Sequence, residues 1–547
     1  MRIMGTRTHH AVRHRRAAQV MAAILSLTVA TAAPAQNAAP TVKVATGRLK
    51  GATSGNARTF MGIPYAQAPV GALRWKAPVA ARAWTGLRDA TTPAPACYQG
   101  KSAMFGPYTP EFMIDGPMSE DCLYLNVWAP ATSREKRPVL VYIHGGGYGE
   151  GSGSIPIYDG ARLAAQGAVV VTINYRLGAF GFLAHPDLTA EAGTSGNYGI
   201  QDMIAALQWV HDNIAGFGGD PGRVTIAGQS AGAAAVNSLL FAPKAKGLFQ
   251  RAIAMSGSGS GFPSTSLQEA ETMGRAYAAK LGARSIAVMR ALPPEAIYAA
   301  SVTPKPTPGA PRVLPAVRFG DILDGTTLVG RGGGAGQTIQ SNVPLLTGML
   351  SGEAFMPGAD DVTPQQFEQD ARTRFGNKAQ MFLDLYPHAT ADEARQSFRT
   401  MAQDRSVANT LLWALARTAA VGQPIYLYLY DHPYPAANSR YPAASSQAFG
   451  AFHTSEVPYV MGALGLGGRT FTASDEAVSR QMQAHWLAFM TSGSPAAGGI
   501  AWPRVDATTR TVMGLGDTHG PRPAFSSQAR QDAFTAYADG GGRLTLF

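Results

Sequence analysis

Runs of apolar residues alternate with amphipathic patterns along the first half of the chain. Three runs, at 139–143, 168–173 and 223–227, are nearly continuous, which is typical of strands that are covered on both faces of a sheet. Between the second and third runs, apolar residues recur at helical spacing over 199–214. This alternation predicts an α/β fold with a central, mostly parallel sheet and helices on both of its faces.

The second half of the chain has a less regular pattern. Apolar and charged residues alternate in amphipathic fashion over 363–420, and we expect a helical subdomain at about 360–420 that packs on the sheet. The Pro-rich stretch 301–314 and the Gly-rich stretch 330–336 are predicted to be long surface connections. Because neither resembles a domain linker, we expect residues 36–547 to form a single domain.

The N-terminus has the three parts of a secretory signal peptide. Five arginines precede or flank an apolar run at 20–30, and the segment ends at Ala33-Pro34-Ala35. The run is shorter than the ~20 residues that cross a membrane. We therefore expect cleavage after Ala35 and export, periplasmic or secreted, rather than a membrane anchor. The pair Arg15-Arg16 leaves twin-arginine export open.

Composition and charge narrow the class of protein. The chain has 547 residues, of which 46% are hydrophobic and 15% charged, values that exclude a disordered or fibrous protein. The formal net charge of +11 includes the five arginines of the signal peptide, which has no acidic residue, so the mature chain is less basic. Since it has no lysine- or arginine-rich block, we expect no nucleic-acid partner.

Cys97 and Cys122 are the two cysteines of the chain. In the oxidising destination that export implies, pairing of two cysteines is the default, whereas a metal site needs more ligands at closer spacing. We therefore expect a disulfide that closes a surface loop.

The strongest local signal is the run Gly228-Gln229-Ser230-Ala231-Gly232, which follows an apolar strand and opens an alanine-rich helix. A serine in such a strand–turn–helix setting is held at a sharp bend, and the flanking glycines avoid clashes that a Cβ would cause. Although a glycine-rich turn can contain a serine by chance, the setting predicts Ser230 as a nucleophile.

A second glycine-rich loop, His144-Gly145-Gly146-Gly147-Tyr148, follows the strand at 139–143. Residues without side chains let backbone N–H groups approach a ligand closely, as an oxyanion hole requires. We expect the N–H groups of Gly146, Gly147 and Ala231 to form that hole.

With these two motifs, further stretches make the chain resemble the type-B carboxylesterases, a group of α/β-hydrolases that includes the cholinesterases. The matching stretches are 60–66, 73–75, 119–127, 174–178 and 196–199. The resemblance extends from about residue 41 to the C-terminus. It implies an α/β-hydrolase fold with helical insertions over the active site.

The resemblance also implies the other two members of a catalytic triad. The family has a glutamate nine residues after a proline at a strand end, and Pro344 gives Glu353 that position. The base lies in a G-x-x-H-x-x-E stretch, which begins here at Gly450 and makes His453 the candidate. The order serine, glutamate, histidine is the one expected for an α/β-hydrolase.

The chemistry of the residues assigns the same roles. Ser230 is a poor nucleophile until an imidazole takes its proton, and a carboxylate must orient that imidazole. His144 is an alternative base, although its place beside the glycine loop suits a wall of the site better. Glu456 is an alternative acid, although its position three residues from His453 favours a local contact.

The resemblance implies several supporting residues. It places Gln229 and Ser256 next to the triad and matches a disulfide between Cys97 and Cys122. It also implies two structural ion pairs, Arg74 with Glu120 and Arg176 with Asp202, whose burial would make the loss of one partner costly.

Two departures from the family bear on the substrate. The residue before the nucleophile is usually glutamate, and here it is Gln229. The predicted disulfide loop has no tryptophan, whereas cholinesterases have one there that binds a quaternary ammonium group. We therefore expect choline esters not to be substrates. As a hypothesis, the missing carboxylate and the basic chain favour anionic or uncharged acyl groups.

Together these features predict a secreted serine hydrolase that cleaves small-molecule carboxylic esters through an acyl-enzyme on Ser230. No metal or other cofactor is implied, because the chain has no H-E-x-x-H motif and no cysteine–histidine cluster. An amidase, a lactonase or a detoxifying esterase of a natural multi-ester would use the same triad. A non-catalytic binding or adhesion relative is the alternative of another class.

Overall fold

A twisted sheet of eleven strands is the centre of the fold in the described part of the chain. The strands, in chain order, are β1 (Ala52–Ser54), β2 (Ala57–Pro64), β3 (Tyr124–Pro130), β4 (Arg137–Ile143), β5 (Val169–Ile173), β6 (Gly219–Gln229), β7 (Arg251–Met255), β8 (Leu345–Leu350), β9 (Ile425–Tyr430), β10 (Thr511–Leu515) and β11 (Gly520–Pro523). Across the sheet the order is β11-β10-β9-β8-β7-β6-β4-β5-β3-β2-β1. Strands β4 to β10 pair in parallel, and the antiparallel pairs lie at the two edges.

The computed structural model describes residues 39–101, 104, 106–132, 135–259, 265–302, 319–330, 339–353, 362–437, 450–506, 508 and 511–544. Residues from Ala39 onward group into one compact unit. The predicted signal peptide lies outside the described residues, as do most of the predicted connections at 301–314 and 330–336.

Helices cover the sheet. They are α1 (Ala161–Ala165), α2 (Gly178–Phe182), α3 (Pro186–Ala192), α4 (Tyr198–Asn213), α5 (Ala231–Leu239), α6 (Leu267–Lys280), α7 (Ile286–Ala291), α8 (Pro294–Ser301), α9 (Pro364–Phe375), α10 (Ala379–Leu383), α11 (Ala391–Val421), α12 (Val457–Met461), α13 (Ala473–Ser492) and α14 (Gln528–Asp539). Among these helices, none is long and apolar enough to cross a membrane.

Short strands outside the central sheet form three smaller sheets. One has three strands, Thr41–Val44, Gly47–Lys50 and Leu87–Asp89, and the other two are the pairs Ala96–Cys97 with Met118–Ser119 and Thr265–Ser266 with Ile322–Leu323.

The continuous apolar runs are strands with two buried faces. In β4, Val139, Val141 and Ile143 pack into one hydrophobic layer, while Leu140 and Tyr142 pack into the layer on the other side of the sheet. Because successive side chains of a strand point to opposite faces, a strand between two layers has no polar face. The α/β prediction is confirmed, and the three predicted strands lie in β4, β5 and β6.

The amphipathic segment at 363–420 forms α9, α10 and α11. Helix α11 begins at a capping box between Thr390 and Glu393 and ends before Gly422, whose left-handed conformation (φ 68°) stops the helix. It contacts β8 and β9 of the sheet. The segment therefore contacts the half of the sheet that contains β8 and β9.

The parallel strands have a switch point beside β4. Strand β5 pairs with one edge of β4, and β6, which follows β5 in the chain, pairs with the other edge. At such a reversal the loops at the carboxyl ends of neighbouring strands diverge and leave a crevice. The loops that follow β4 and β6 line this crevice.

Candidate active site

Ser230 is held in a strained backbone conformation at the carboxyl end of β6. Its φ is 58° and its ψ −125°, and its N–H donates to the carbonyl of Met255 at 2.9 Å. A Cβ at Gly228 would overlap Gly232, and a Cβ at Gly232 would overlap the carbonyl oxygen of Ile143. Only glycine fits on both sides, so the motif dictates the bend that presents the Ser230 side chain.

The glycine loop after β4 lies beside this serine. Gly228 of β6 is in register with Ile143, the last residue of β4, so the residues that follow each strand are neighbours. Gly146 and Gly147 have φ of 99° and 61°, which turns the loop back toward the strand ends. Both glycines line the same cavity as Ser230, and Ala231 begins α5 directly after the serine.

His453 and Glu353 form a close pair. The Nδ1 atom of His453 lies 2.5 Å from Oε2 of Glu353, whose Oε1 accepts from the Leu350 N–H at 3.0 Å. The N–H of Gly352 donates to Ala451 at 3.0 Å, which ties the end of β8 to the histidine loop. This contact brings residues 100 positions apart into one hydrogen bond.

Gln229 contacts the other side of the imidazole. Its Nε2 lies 3.0 Å from Nε2 of His453, and its Oε1 accepts from the hydroxyl of Thr454 at 3.1 Å. Because the Thr454 hydroxyl occupies the amide oxygen, the NH₂ group of Gln229 faces the ring. The amide nitrogen also lies 3.4 Å from Nδ1, so it packs over the imidazole ring instead of donating along the lone pair of Nε2.

A cavity of about 300 Å³ contains these groups. Its lining includes Ser230, Gln229 and His453, the glycine loop, and a mostly apolar wall: Tyr108, Phe112, Met113, Ile155, Ile157 and Tyr158. Glu150 is the acidic residue of the described lining, and Glu353 lies behind His453 and outside that lining. The arrangement places a hydroxyl, an imidazole and backbone donors around a small, largely apolar space.

The sequence left His144 as an alternative base and Glu456 as an alternative acid, and the surroundings of both residues do not suit these roles. His144 is buried and stacked on Tyr175 with 4.4 Å between ring centroids, and burial lowers its pKa to about 4. Its ring is not among the described residues that line the cavity, so the expected place in a wall of the site stays a prediction. Glu456 is fully buried, and neither of its oxygens has a hydrogen bond to a described residue, which differs from the local contact expected for it.

The supporting residues form a rigid shell around the site. Cys97 and Cys122 form a disulfide. Arg74 pairs with Glu120 at 2.5 Å, and Arg176 pairs with Asp202 at 2.7 Å. All four charged side chains are at most 9% exposed, so each pair compensates charges that burial would otherwise penalise.

Ser256, at the end of β7, is a further residue with a positive φ, 55°. Its N–H donates to the Gly348 carbonyl of β8 at 2.9 Å, and its buried hydroxyl has no hydrogen-bond partner in the part of the chain that the structure describes. It therefore lies next to the Ser230 turn without a contact that assigns it a chemical role.

A model of the carboxylesterase family matches residues 38–534. The chain belongs to the carboxylesterase family. As a member, it is a carboxylic-ester hydrolase with the α/β-hydrolase fold that the sequence predicts.

Relatives of this esterase carry the same assignment in their names. It is 34% identical to the fumonisin B1 esterase of Sphingopyxis macrogoltabida over 494 residues, which cover 87% of each chain. It is 33% identical to the para-nitrobenzyl esterase of Bacillus subtilis strain 168, over 89% of this chain and 97% of the relative. A solved PNB esterase structure covers 90% of the chain at a TM-score of 0.73 and 31% identity. The structure of a thermophilic PNB esterase matches at a TM-score of 0.73 and 32% identity.

Three residues of the esterase's site were not predicted from the sequence. Tyr108 donates its hydroxyl to the His453 carbonyl at 2.8 Å, Thr454 orients Gln229, and Glu150 lines the cavity. Tyr108 lies in the disulfide loop, and its aromatic side chain was the only feature of the sequence that could have pointed to a place in the site. Thr454 and Glu150 each adjoin a recognised motif, but no pattern in the sequence assigns them a contact.

Proposed function

We propose that the esterase cleaves its substrates through an acyl-enzyme on Ser230, with His453 as general base and Glu353 as the residue that orients it. The observation that carries this proposal is the 2.5 Å contact between Glu353 and His453 at a cavity that also contains Ser230. A carboxylate on Nδ1 fixes the tautomer that leaves Nε2 free to accept a proton.

The reaction has two halves. In the first, the Ser230 Oγ bonds to the ester carbonyl carbon while its proton passes to Nε2 of His453, and the N–H groups of Gly146, Gly147 and Ala231 stabilise the oxyanion. The C–O bond then breaks, and the alcohol leaves with the proton from His453. In the second half, water gives a proton to His453, attacks the acyl carbon and releases the carboxylic acid, and Ser230 regains its proton.

Gln229 has a place in this cycle because it packs against the imidazole of His453. Its amide nitrogen lies 3.0 Å from Nε2 and 3.4 Å from Nδ1 and so limits the orientations that the ring can adopt. The proton of Ser230 passes to Nε2 in the plane of the ring, which the amide does not occupy. Hydrogen bonds of this kind commonly tighten only in the substrate complex.

The cavity and the relatives support small or medium-sized esters as substrates. The described lining is mostly apolar, which suits uncharged ester groups. The loop between Cys97 and Cys122 has no tryptophan, so we do not expect choline esters to bind through a cation–π contact. The names of the two relatives suggest para-nitrobenzyl esters and fumonisin B1 as the first compounds to test.

We also propose that the protein acts outside the cytoplasm. The signal-peptide pattern at 1–35 supports export. The disulfide between Cys97 and Cys122 supports an oxidising destination.

The test is acid release, followed by pH-stat, from para-nitrobenzyl acetate, fumonisin B1 and simple alkyl acetates. Three purified proteins are compared: the mature protein, Ser230→Ala, and Ser54→Ala as a matched control at the far edge of the sheet. We expect the mature protein and Ser54→Ala to release acid at equal rates. In Ser230→Ala, we expect the rate of acid release to fall by at least about 10³-fold. Undiminished hydrolysis by Ser230→Ala would refute the assignment of the nucleophile.

A further inference from the structure

Glu150 contributes a carboxylate to the wall of the cavity that contains Ser230 and His453. It lies four residues after Gly146, and its N–H donates to the Gly146 carbonyl at 3.0 Å. The same tight turn therefore carries a proposed oxyanion donor and this carboxylate. A residue in that position borders the space that an ester would occupy.

The backbone of this turn is anchored from behind. The Gln99 side chain, which is buried, accepts from the Gly151 N–H and donates to the Gly151 carbonyl, each at 2.8 Å. Its amide also donates to the carbonyl of Cys97 at 2.9 Å, one end of the disulfide. Glu150 is thus attached to a rigid support, and a rigid support makes a charged group selective.

The carboxylate has no counter-ion in the described part of the chain. No hydrogen bond or ion pair joins its oxygens to a described residue, and the described residues that line the cavity include no lysine or arginine. Glu150 is exposed to the cavity, yet the surrounding protein desolvates its carboxyl group enough to raise its pKa above the ordinary value. A partly desolvated carboxylate without a partner gains free energy when a cation binds beside it.

We propose that Glu150 selects esters that carry a primary ammonium group in their acyl or alcohol part. This inference rests on the proposed function, because it assigns a substrate class to the same site. An ammonium group can donate charge-assisted hydrogen bonds to Glu150, whereas a choline ester has no N–H to donate. We therefore expect carboxylate-bearing esters to be repelled, in contrast to the hypothesis that Gln229 and the basic chain favour anionic or uncharged acyl groups, which stays a prediction.

The test compares esters that differ only in charge. One series is the nitrophenyl esters of aminohexanoate, heptanoate and pimelate, in which the chain ends in an ammonium, a methyl or a carboxylate group. A second series, acetate esters of aminohexanol and heptanol, moves the ammonium group to the alcohol. The measured quantity is the ratio of kcat/KM for the ammonium ester to kcat/KM for the neutral ester of the same series.

Four proteins are compared: wild type, Glu150→Gln, Glu150→Lys and Asp159→Asn. The last variant removes an exposed carboxylate that lines a neighbouring cavity and controls for the loss of a negative charge in general. We expect a ratio of about ten in at least one series for wild type and Asp159→Asn, a ratio near one for Glu150→Gln, and a preference for the pimelate ester in Glu150→Lys.

Provided that the neutral esters are hydrolysed, two results would overturn the inference. One is a wild-type ratio near one in both series, and the other is a ratio that the two Glu150 substitutions leave unchanged. Failure of wild type to hydrolyse any neutral ester would instead overturn the proposed function. The series in which the ratio exceeds one identifies the part of the substrate that contacts Glu150.

Discussion

Two glutamates near His453 have opposite surroundings. Glu353 accepts a hydrogen bond on each oxygen, from His453 and from the Leu350 N–H. Glu456 is fully buried and has no hydrogen bond among the described residues, and burial, together with the negative charge of Glu353, raises its pKa well above the ordinary value. The sequence left both as candidates for the triad acid; both are buried, and their hydrogen bonds separate them.

The raised pKa of Glu456 predicts that the free energy of unfolding depends on pH. Above the ordinary glutamate pKa of about 4.3, the unfolded chain releases the Glu456 proton while the folded protein keeps it. The folded state then binds more protons, so stability falls as pH rises through that range. A glutamine in place of Glu456 cannot titrate, and its side chain has the shape of the neutral acid.

We therefore expect the Tm of Glu456→Gln, measured relative to wild type, to increase from about pH 5 to about pH 8. Differential scanning calorimetry of both proteins across that range measures the difference. A difference that stays constant with pH would contradict the neutral state of Glu456.

The central element of the site is the unit formed by β6, the Ser230 turn and α5, packed against the end of β4. The close approach of this unit to β4 depends on Gly232, because a Cβ there would overlap the Ile143 carbonyl oxygen. Displacement of the turn would shift Ser230 relative to the glycine loop. Small shifts of reacting groups are costly in rate.

We expect Gly232→Ala to lower kcat by about 100-fold and to lower the Tm. The matched control is Gly222→Ala in the same strand, where the glycine is exposed and a Cβ would meet only the Asp220 side chain, at 3.3 Å. Ester hydrolysis and thermal unfolding of the two variants provide the comparison. Equal activity in both would contradict the role of close packing at the turn.

The sequence predicted those elements whose structure is determined by a short stretch of neighbouring residues. Continuous apolar runs identified β4, β5 and β6 because these strands are buried on both faces, and the glycines around Ser230 identified the turn because only glycine fits there. Glu353 and His453 came from a family resemblance, since no local pattern joins residues 100 positions apart. The contact of Tyr108 with His453, 345 positions away, depends on loop conformations that no short pattern specifies.

At the scale of the whole molecule, the candidate site is an assembly of loops from distant parts of the chain. The glycine loop follows β4, Ser230 follows β6, Glu353 follows β8, and His453 precedes α12. Parallel pairing of β4, β6, β7 and β8 brings the first three to one edge of the sheet, and the hydrogen bond from Gly352 to Ala451 adds the fourth. The site therefore exists only when the entire sheet is formed.

The central claim, a covalent acyl-enzyme on Ser230, is tested most directly by trapping that intermediate. The esterase is mixed with excess nitrophenyl acetate, quenched with acid on the millisecond scale and digested, and the peptides are examined by mass spectrometry. We expect an acetyl group on the peptide that contains Ser230, together with a burst of nitrophenol, and neither in Ser230→Ala. Steady turnover with no acetylated peptide, or with the acetyl group on another residue, would contradict the account.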